Sequence, residues 1–246
     1  FEAYPIAVAL VGASATAVPL TAGGRLDLVA MAAAVSERTR VVLVCTPNNP
    51  TGPAVRADEL AAFLAAVPPG VLVVLDEAYV EFVRDPQAPD ALALLGAHPN
   101  VVVLRTFSKA YGLAGLRVGF AIAPPPLARG IRVASTPFGV SHLAQVAALA
   151  SLRARKELLS RVDALVAERT RVLTGLRAQG WKVPDTEANF VWLPLGERSA
   201  AFAAAASRSG VLVRPLGADG VRVSVGEPEA NDLLLEVATR WRQDIL

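Results

Sequence analysis

Of the chain's 24 lysines and arginines only three are lysines, Lys109, Lys156 and Lys182, and the first lies in the segment RTFSKAYGLAGLRVGF, residues 105–120. Arginine stays charged and forms no imine, whereas lysine shifts its pKa readily and serves as an amine nucleophile. Lys109 is therefore the candidate for covalent chemistry, against the plain alternative of a solvated loop lysine. Beside it, Thr106, Ser108 and Arg117 supply two hydroxyls and a guanidinium, a set suited to a phosphate monoester. Upstream, VLVVLDEAY places Asp76 and Glu77 at the end of an apolar run. A carboxylate there is costly unless it meets a partner such as a protonated heterocyclic nitrogen. The segment TPNNPTG (46–52) is too rich in proline and asparagine for a helix, and Asn49 in it offers an amide donor to a ligand oxygen. A turn with no further role is the alternative.

These segments need elements to hold them. The runs VVLVC (41–45), VLVVL (71–75), VVVLR (101–105) and RVGFAIA (117–123) have strand length, lack polar alternation, and are separated by helical patterns such as RADELAAFLAAV (56–67). Such runs suit strands buried on both faces, which predicts an α/β core with a largely parallel sheet. The three candidate loops each follow the carboxyl end of a strand, where open α/β sheets gather their ligands. From about 141 to 180 the pattern is continuously helical and ends on Gly180, a helix stop. Short strands are expected at 181–183, 189–193, 211–213 and 221–225, with helices near 198–208 and 228–242. The expected organisation is a large domain over 1–150, then a bridging helix and a small α+β domain over 151–246.

Composition narrows the class. A net charge of +2 without a block of like charges offers no nucleic-acid arm and no polybasic membrane patch. No apolar run approaches the roughly 18 residues of a membrane span. A lone cysteine, Cys45, excludes an internal disulfide and a cysteine metal cluster, and points to a reducing cytoplasm. His98 and His142 lack ligand partners at metal-binding spacing, so no metal site is expected. Trp181, Trp192 and Trp241 read as packing residues, and Tyr111 takes no role. Opening on FEAYPIAVAL without a leader, the sequence reads as one whose N-terminal part is missing.

An amine nucleophile, a phosphate cradle, a buried acid and an amide donor together describe the requirements of pyridoxal 5′-phosphate. The competing reading of the apolar run ending in Asp-Glu, the magnesium-binding strand of a P-loop nucleotide hydrolase, needs GxxxxGK[ST], and none of the three lysines sits in that context.

In this order, PNNPTG, DEAYVEF and RTFSKAYGLAGLRVG resemble the fold-type I aminotransferases of the histidinol-phosphate and aromatic amino acid branch. The likeness continues through ANFVWLPLG (188–196) and GVLVRPLGADGVRVSVG (210–226). The short spacing between VRPLGADG and VRVSVG is most similar to the actinobacterial aromatic amino acid aminotransferases, since histidinol-phosphate enzymes usually carry a longer insertion there. The resemblance implies a three-layer large domain, incomplete at its N-terminus, a small C-terminal domain, and a homodimer acting on an amino acid and a 2-oxo acid. It implies that Lys109 binds the cofactor and carries the substrate proton, and that Asp76 pairs with the ring nitrogen. Asn49 and Tyr79 would bind the phenolic oxygen, and Ser108, Arg117 and Thr106 the phosphate. Arg222 would grip the substrate carboxylate, and Arg214 would lie near its side chain, with a surface salt bridge of the small domain as the other reading. Phe1 aligns with the aromatic residue that stacks on the cofactor ring and, as the first residue, is expected to be loosely held. A non-catalytic module of the same fold, as found fused to transcription regulators, is the remaining alternative, disfavoured by the lack of a basic DNA-binding segment.

Overall fold

The computed structural model describes residues 1–243. The valine-rich runs become β1 (Val41–Cys45), β2 (Leu72–Asp76) and β3 (Val101–Thr106), which pair in parallel, while β4 (Gly119–Ile122) closes the sheet antiparallel to β3. The order in the sheet is β1-β2-β3-β4. Strand residues of both parities are buried: Val73, Leu75, Val101 and Val103 on one face, Val74 and Val102 on the other. That is why these runs lack polar alternation.

Two short helices, α1 (Ala3–Leu10) and α2 (Leu28–Ala33), precede β1. Between β1 and β2 lies α3 (Ala57–Ala66), whose Glu59 carboxylate accepts the Arg56 amide at 3.1 Å. Its Leu60, Phe63 and Leu64, at helical spacing, pack on Val44, Val73 and Leu75. The one-turn helix α4 (Ala91–Leu94) leads into β3. After β4 come α5 (Pro125–Ala134), α6 (His142–Arg153) and α7 (Arg155–Ala178). The continuous helix expected over 141–180 is thus two helices joined at Ala154. Ser141 caps α6 by accepting the Ala144 amide, and Gly180, at φ +83°, ends the run after α7.

A second sheet, order β5-β7-β6, is wholly antiparallel: β5 (Phe190–Leu193), β6 (Arg214–Leu216) and β7 (Gly220–Ser224). It packs with α8 (Ser199–Arg208) and α9 (Pro228–Gln243) around Phe202, Leu193, Val221, Val223 and Leu234. Neither 181–183 nor 211–213 is a strand. Trp181 packs edge to face on Phe202, and pairing with β7 begins only at Arg214. Apolar character fitted both segments for a ladder, but neither has a strand beside it.

Helix α7 joins the halves. Val172 and Leu176 enter the core of the second sheet, while Val162 packs with Tyr79, Phe82 and Phe190. Between them the buried Arg169 donates to the carbonyls of Phe82 and Ala188, each at 3.0 Å, and pairs with Glu187 at 3.3 Å. A second bridge is backbone contact: the Glu187 amide donates to the Gly52 carbonyl at 2.9 Å. Gly52 has φ +99°, and a Cβ there would lie 2.2 Å from Thr186 Oγ1. Gly52→Ala is therefore expected to cost at least about 2 kcal/mol through strain and overlap together. A thermal melt unchanged from the parent's would contradict it.

Candidate active site

The carboxyl ends of β1, β2 and β3 lie side by side, with Cys45 in register with Asp76 and Asp76 with Leu104. Asp76, the last residue of β2, accepts the Ala78 amide on Oδ1 at 3.1 Å and the Tyr4 hydroxyl on Oδ2 at 2.7 Å. A carboxylate offers about four lone-pair sites, so acceptor capacity remains. Next to it Glu77 is buried, and Arg105 from β3 meets its Oε2 with Nη2 at 2.8 Å and Nε at 2.9 Å. Burial pushes the Glu77 carboxyl up, and Arg105 opposes that shift.

After β1 the chain turns through cis peptide bonds at Thr46-Pro47 and Asn49-Pro50. Asn48 Nδ2 donates to Thr51 Oγ1 at 2.7 Å, which stiffens the turn around the buried Asn49. Asn49 Oδ1 accepts from Arg222 Nη1 at 2.7 Å, a contact across 173 residues that brings β7 over the first sheet. Its amide nitrogen is left to donate elsewhere. The Arg222 guanidinium lies 5.3 Å from the Phe190 ring centroid, and its buried Nε has no partner among the described residues.

Tyr79 follows the Asp-Glu pair and is 3% exposed, edge to face on Phe190 at 5.1 Å. Burial pushes its phenol up to about 12, against the pull of Arg222, so the hydroxyl remains a donor. Lys109 Nζ stands 5.3 Å from the Tyr79 ring centroid. Partial burial of the ammonium, then the charges of Arg222 and Arg117, hold its pKa below the usual lysine value, and Asp76 opposes them. Both causes favour the free amine that a nucleophile needs.

The loop carrying Lys109 is folded on itself. Ser108 donates its amide to Thr106 Oγ1 at 3.0 Å, and Arg117 takes a left-handed conformation, φ +53°, with Nη1 on the Ala114 carbonyl at 2.8 Å. A Cβ on Gly119 would lie 2.8 Å from the Arg105 carbonyl, so glycine lets β4 close against β3 behind the loop.

Lys109, Asp76, Asn49, Tyr79 and Arg222 thus converge from both sheets, and Thr106, Ser108 and Arg117 share the loop of Lys109. Arg214 is placed differently. It sits opposite Arg222 on β6, but its exposed guanidinium pairs with Glu2, at 2.8 and 3.0 Å. The salt bridge is made to the N-terminal segment rather than within the small domain, where the alternative reading puts it. Phe1 is half exposed yet held, its ring edge to face on Tyr4 at 5.5 Å. Tyr4 itself escaped notice in the sequence; it lies in the first turn of α1, and Phe1 just before the helix packs against it. Among the described residues no cluster of three or more metal-ligating side chains occurs, and no helix is long and apolar enough to cross a membrane.

A parallel sheet with an antiparallel edge strand and a second antiparallel lobe are the frame of a fold-type I enzyme. The aminotransferase class I and II family matches residues 1–237, and the chain belongs to that family. It is 62% identical over 245 residues to an aromatic amino acid aminotransferase of Streptomyces avermitilis and 59% identical to one of Streptomyces coelicolor, covering 100% of this chain and 68% of each relative. Among solved structures, a histidinol-phosphate aminotransferase of Sinorhizobium meliloti in complex with pyridoxal-5′-phosphate superposes with a TM-score of 0.88 at 30% identity, covering 100% of this chain and 69% of that one.

Proposed function

We propose that the protein transfers the amino group of an aromatic amino acid to a 2-oxo acid such as 2-oxoglutarate, with pyridoxal 5′-phosphate as cofactor. The observation that carries this reading is the crossing of Arg222 from the second sheet to Asn49, its buried Nε unpartnered among the described residues, close enough to Lys109 for its charge to lower that pKa. An orphaned buried guanidinium nitrogen calls for an anionic acceptor, and the carboxylate of an amino acid supplies one.

The residues fit the cofactor. Asp76 keeps free acceptor sites for a protonated ring nitrogen, and Asn49 and the protonated Tyr79 have donors for a phenolic oxygen. Ser108, Arg117 and Thr106 would hold the phosphate, and Lys109 would give the amine that anchors the group covalently. Phe1, packed edge to face on Tyr4, would cover the ring. When bound, the cofactor supplies an electron-withdrawing ring that stabilises negative charge at the substrate α-carbon. Lys109 Nζ takes the α-proton and returns it, a transfer favoured by a pKa below the ordinary lysine value. Asp76 holds positive charge at the ring nitrogen. Arg222 fixes the substrate carboxylate by a two-pronged bond and so orients the α-hydrogen towards Lys109. Arg214 lies within one strand of Arg222 and is assigned to the substrate's far end, after release from Glu2.

Residues 1–150 form the cofactor-binding domain in this reading and residues 151–246 the bridging helix and small domain. The working unit is a homodimer in the cytoplasm.

Aromatic substrates are supported by 62% identity to a named aromatic amino acid aminotransferase, against 30% to the histidinol-phosphate enzyme. A phenyl ring needs an apolar wall, whereas a phosphate dianion needs several further cationic or hydroxyl contacts. With 2-oxoglutarate as acceptor, kcat/KM is expected to favour phenylalanine over histidinol phosphate by at least about tenfold. A preference for the phosphate ester would replace this substrate with the other.

A further inference from the structure

Helix α1 has no buried residue, and among residues 1–10 Tyr4 and Val8 are the most shielded. Ile6 and Leu10 are exposed, at 61% and 82%. The polar attachment of this helix to the sheet is the Tyr4 hydroxyl, which donates to Asp76 Oδ2 at 2.7 Å. The other oxygen, Oδ1, accepts the Ala78 amide at 3.1 Å, so each carboxylate oxygen is pinned by one donor from a different part of the chain.

The phenol has one anionic acceptor. Cys45, opposite Asp76 on β1, also borders the hydroxyl, but burial pushes its thiol up and leaves it uncharged. Burial likewise pushes the Tyr4 phenol well above its ordinary value, so it remains a donor throughout the working pH range. Without the hydroxyl, the Asp76 carboxylate would keep a single backbone contact, on Oδ1, and would be free to rotate about its side-chain bonds.

We propose that Tyr4 is a positioning residue for cofactor recognition: its hydroxyl fixes the Asp76 carboxylate in the rotamer that receives the ring nitrogen of pyridoxal 5′-phosphate. Tyr4 acts through Asp76 and touches no reacting atom. The inference rests on the reading above that Asp76 faces that nitrogen.

The test compares dissociation constants of the apoprotein, by absorbance titration, for pyridoxal 5′-phosphate and for its 1-deaza analogue, in which a CH replaces the ring nitrogen. The parent is expected to prefer the natural cofactor by at least about 30-fold, the scale of a lost charge-assisted hydrogen bond and an unpaired carboxylate. Tyr4→Phe is expected to cut that preference about five- to tenfold while leaving the analogue's constant unchanged within about twofold. Tyr4→Leu, which also disturbs packing against Phe1, is expected to lose the same share of the preference. Two results overturn the inference: a preference retained in Tyr4→Phe, or equal weakening of both ligands in that variant, which would make Tyr4 a packing residue only. A parent that binds both ligands alike would instead overturn the role of Asp76, and the inference with it. Thermal melts of both variants identify any loss that comes from unfolding.

Discussion

Lys109→Ala is expected to lower kcat for amino transfer by at least about 10³-fold, because one substitution removes both a covalent nucleophile and a proton carrier. The visible absorption of the lysine-bound cofactor should disappear with it. Lys109→Arg separates chemistry from charge. It keeps a cation on the loop but cannot deprotonate, so it is expected to be as inactive as the alanine variant. Substantial activity in Lys109→Arg would mean that the position contributes charge alone. Stopped-flow measurement of the first half-reaction checks both variants without interference from product release.

The second large effect is expected at Arg222. Its guanidinium is anchored on Asn49 at 2.7 Å and lies over the Phe190 ring, so its fork is held in place before substrate arrives. Arg222→Ala should lower kcat/KM for the amino acid by about 10²- to 10³-fold, chiefly through KM, with the cofactor absorption kept. Arg222→Lys should recover little, since a point charge cannot reproduce a two-pronged bond. The same substitution has a pH consequence. Arg222 is one of two cations that hold the Lys109 pKa down, so its removal lets that pKa rise. The free amine then appears at higher pH, and the rising limb of the cofactor-loading rate should move upward. A limb that stays put or moves down would remove Arg222 from the neighbourhood of Lys109.

The parallel strands were legible because each valine-rich run is buried on both faces and bounded by turn residues. The positions of Asp76, Lys109 and the Asn49 turn were legible for a related reason: polar residues at or soon after the carboxyl ends of such runs stand where an open α/β sheet presents its ligands. What the sequence hid are contacts across long separations. Nothing local to Arg222 announces that it meets Asn49, and nothing local to Glu77 announces Arg105. Arg214 and Glu2 lie 212 residues apart, so the pairing that occupies this guanidinium has no local signal either. The segments 181–183 and 211–213 have strand-like composition and no partner strand, which local pattern does not reveal. The break at Ala154 was missed because Leu152 and Arg153 before it and Arg155, Lys156, Glu157 and Leu158 after it all favour helix, so propensity carries no stop signal there.

Covalent attachment at Lys109 is the claim on which the roles of its neighbours rest, and the scarcity of lysine makes it directly measurable. The protein is loaded with pyridoxal 5′-phosphate, the lysine–cofactor bond is reduced with borohydride, and the modified peptide is identified by mass spectrometry. The expected result is stoichiometric modification at Lys109, in the peptide between Arg105 and Arg117, with Lys156 and Lys182 unmodified. Modification at either of those lysines in its place, or none at Lys109 in protein saturated with cofactor, would contradict the account.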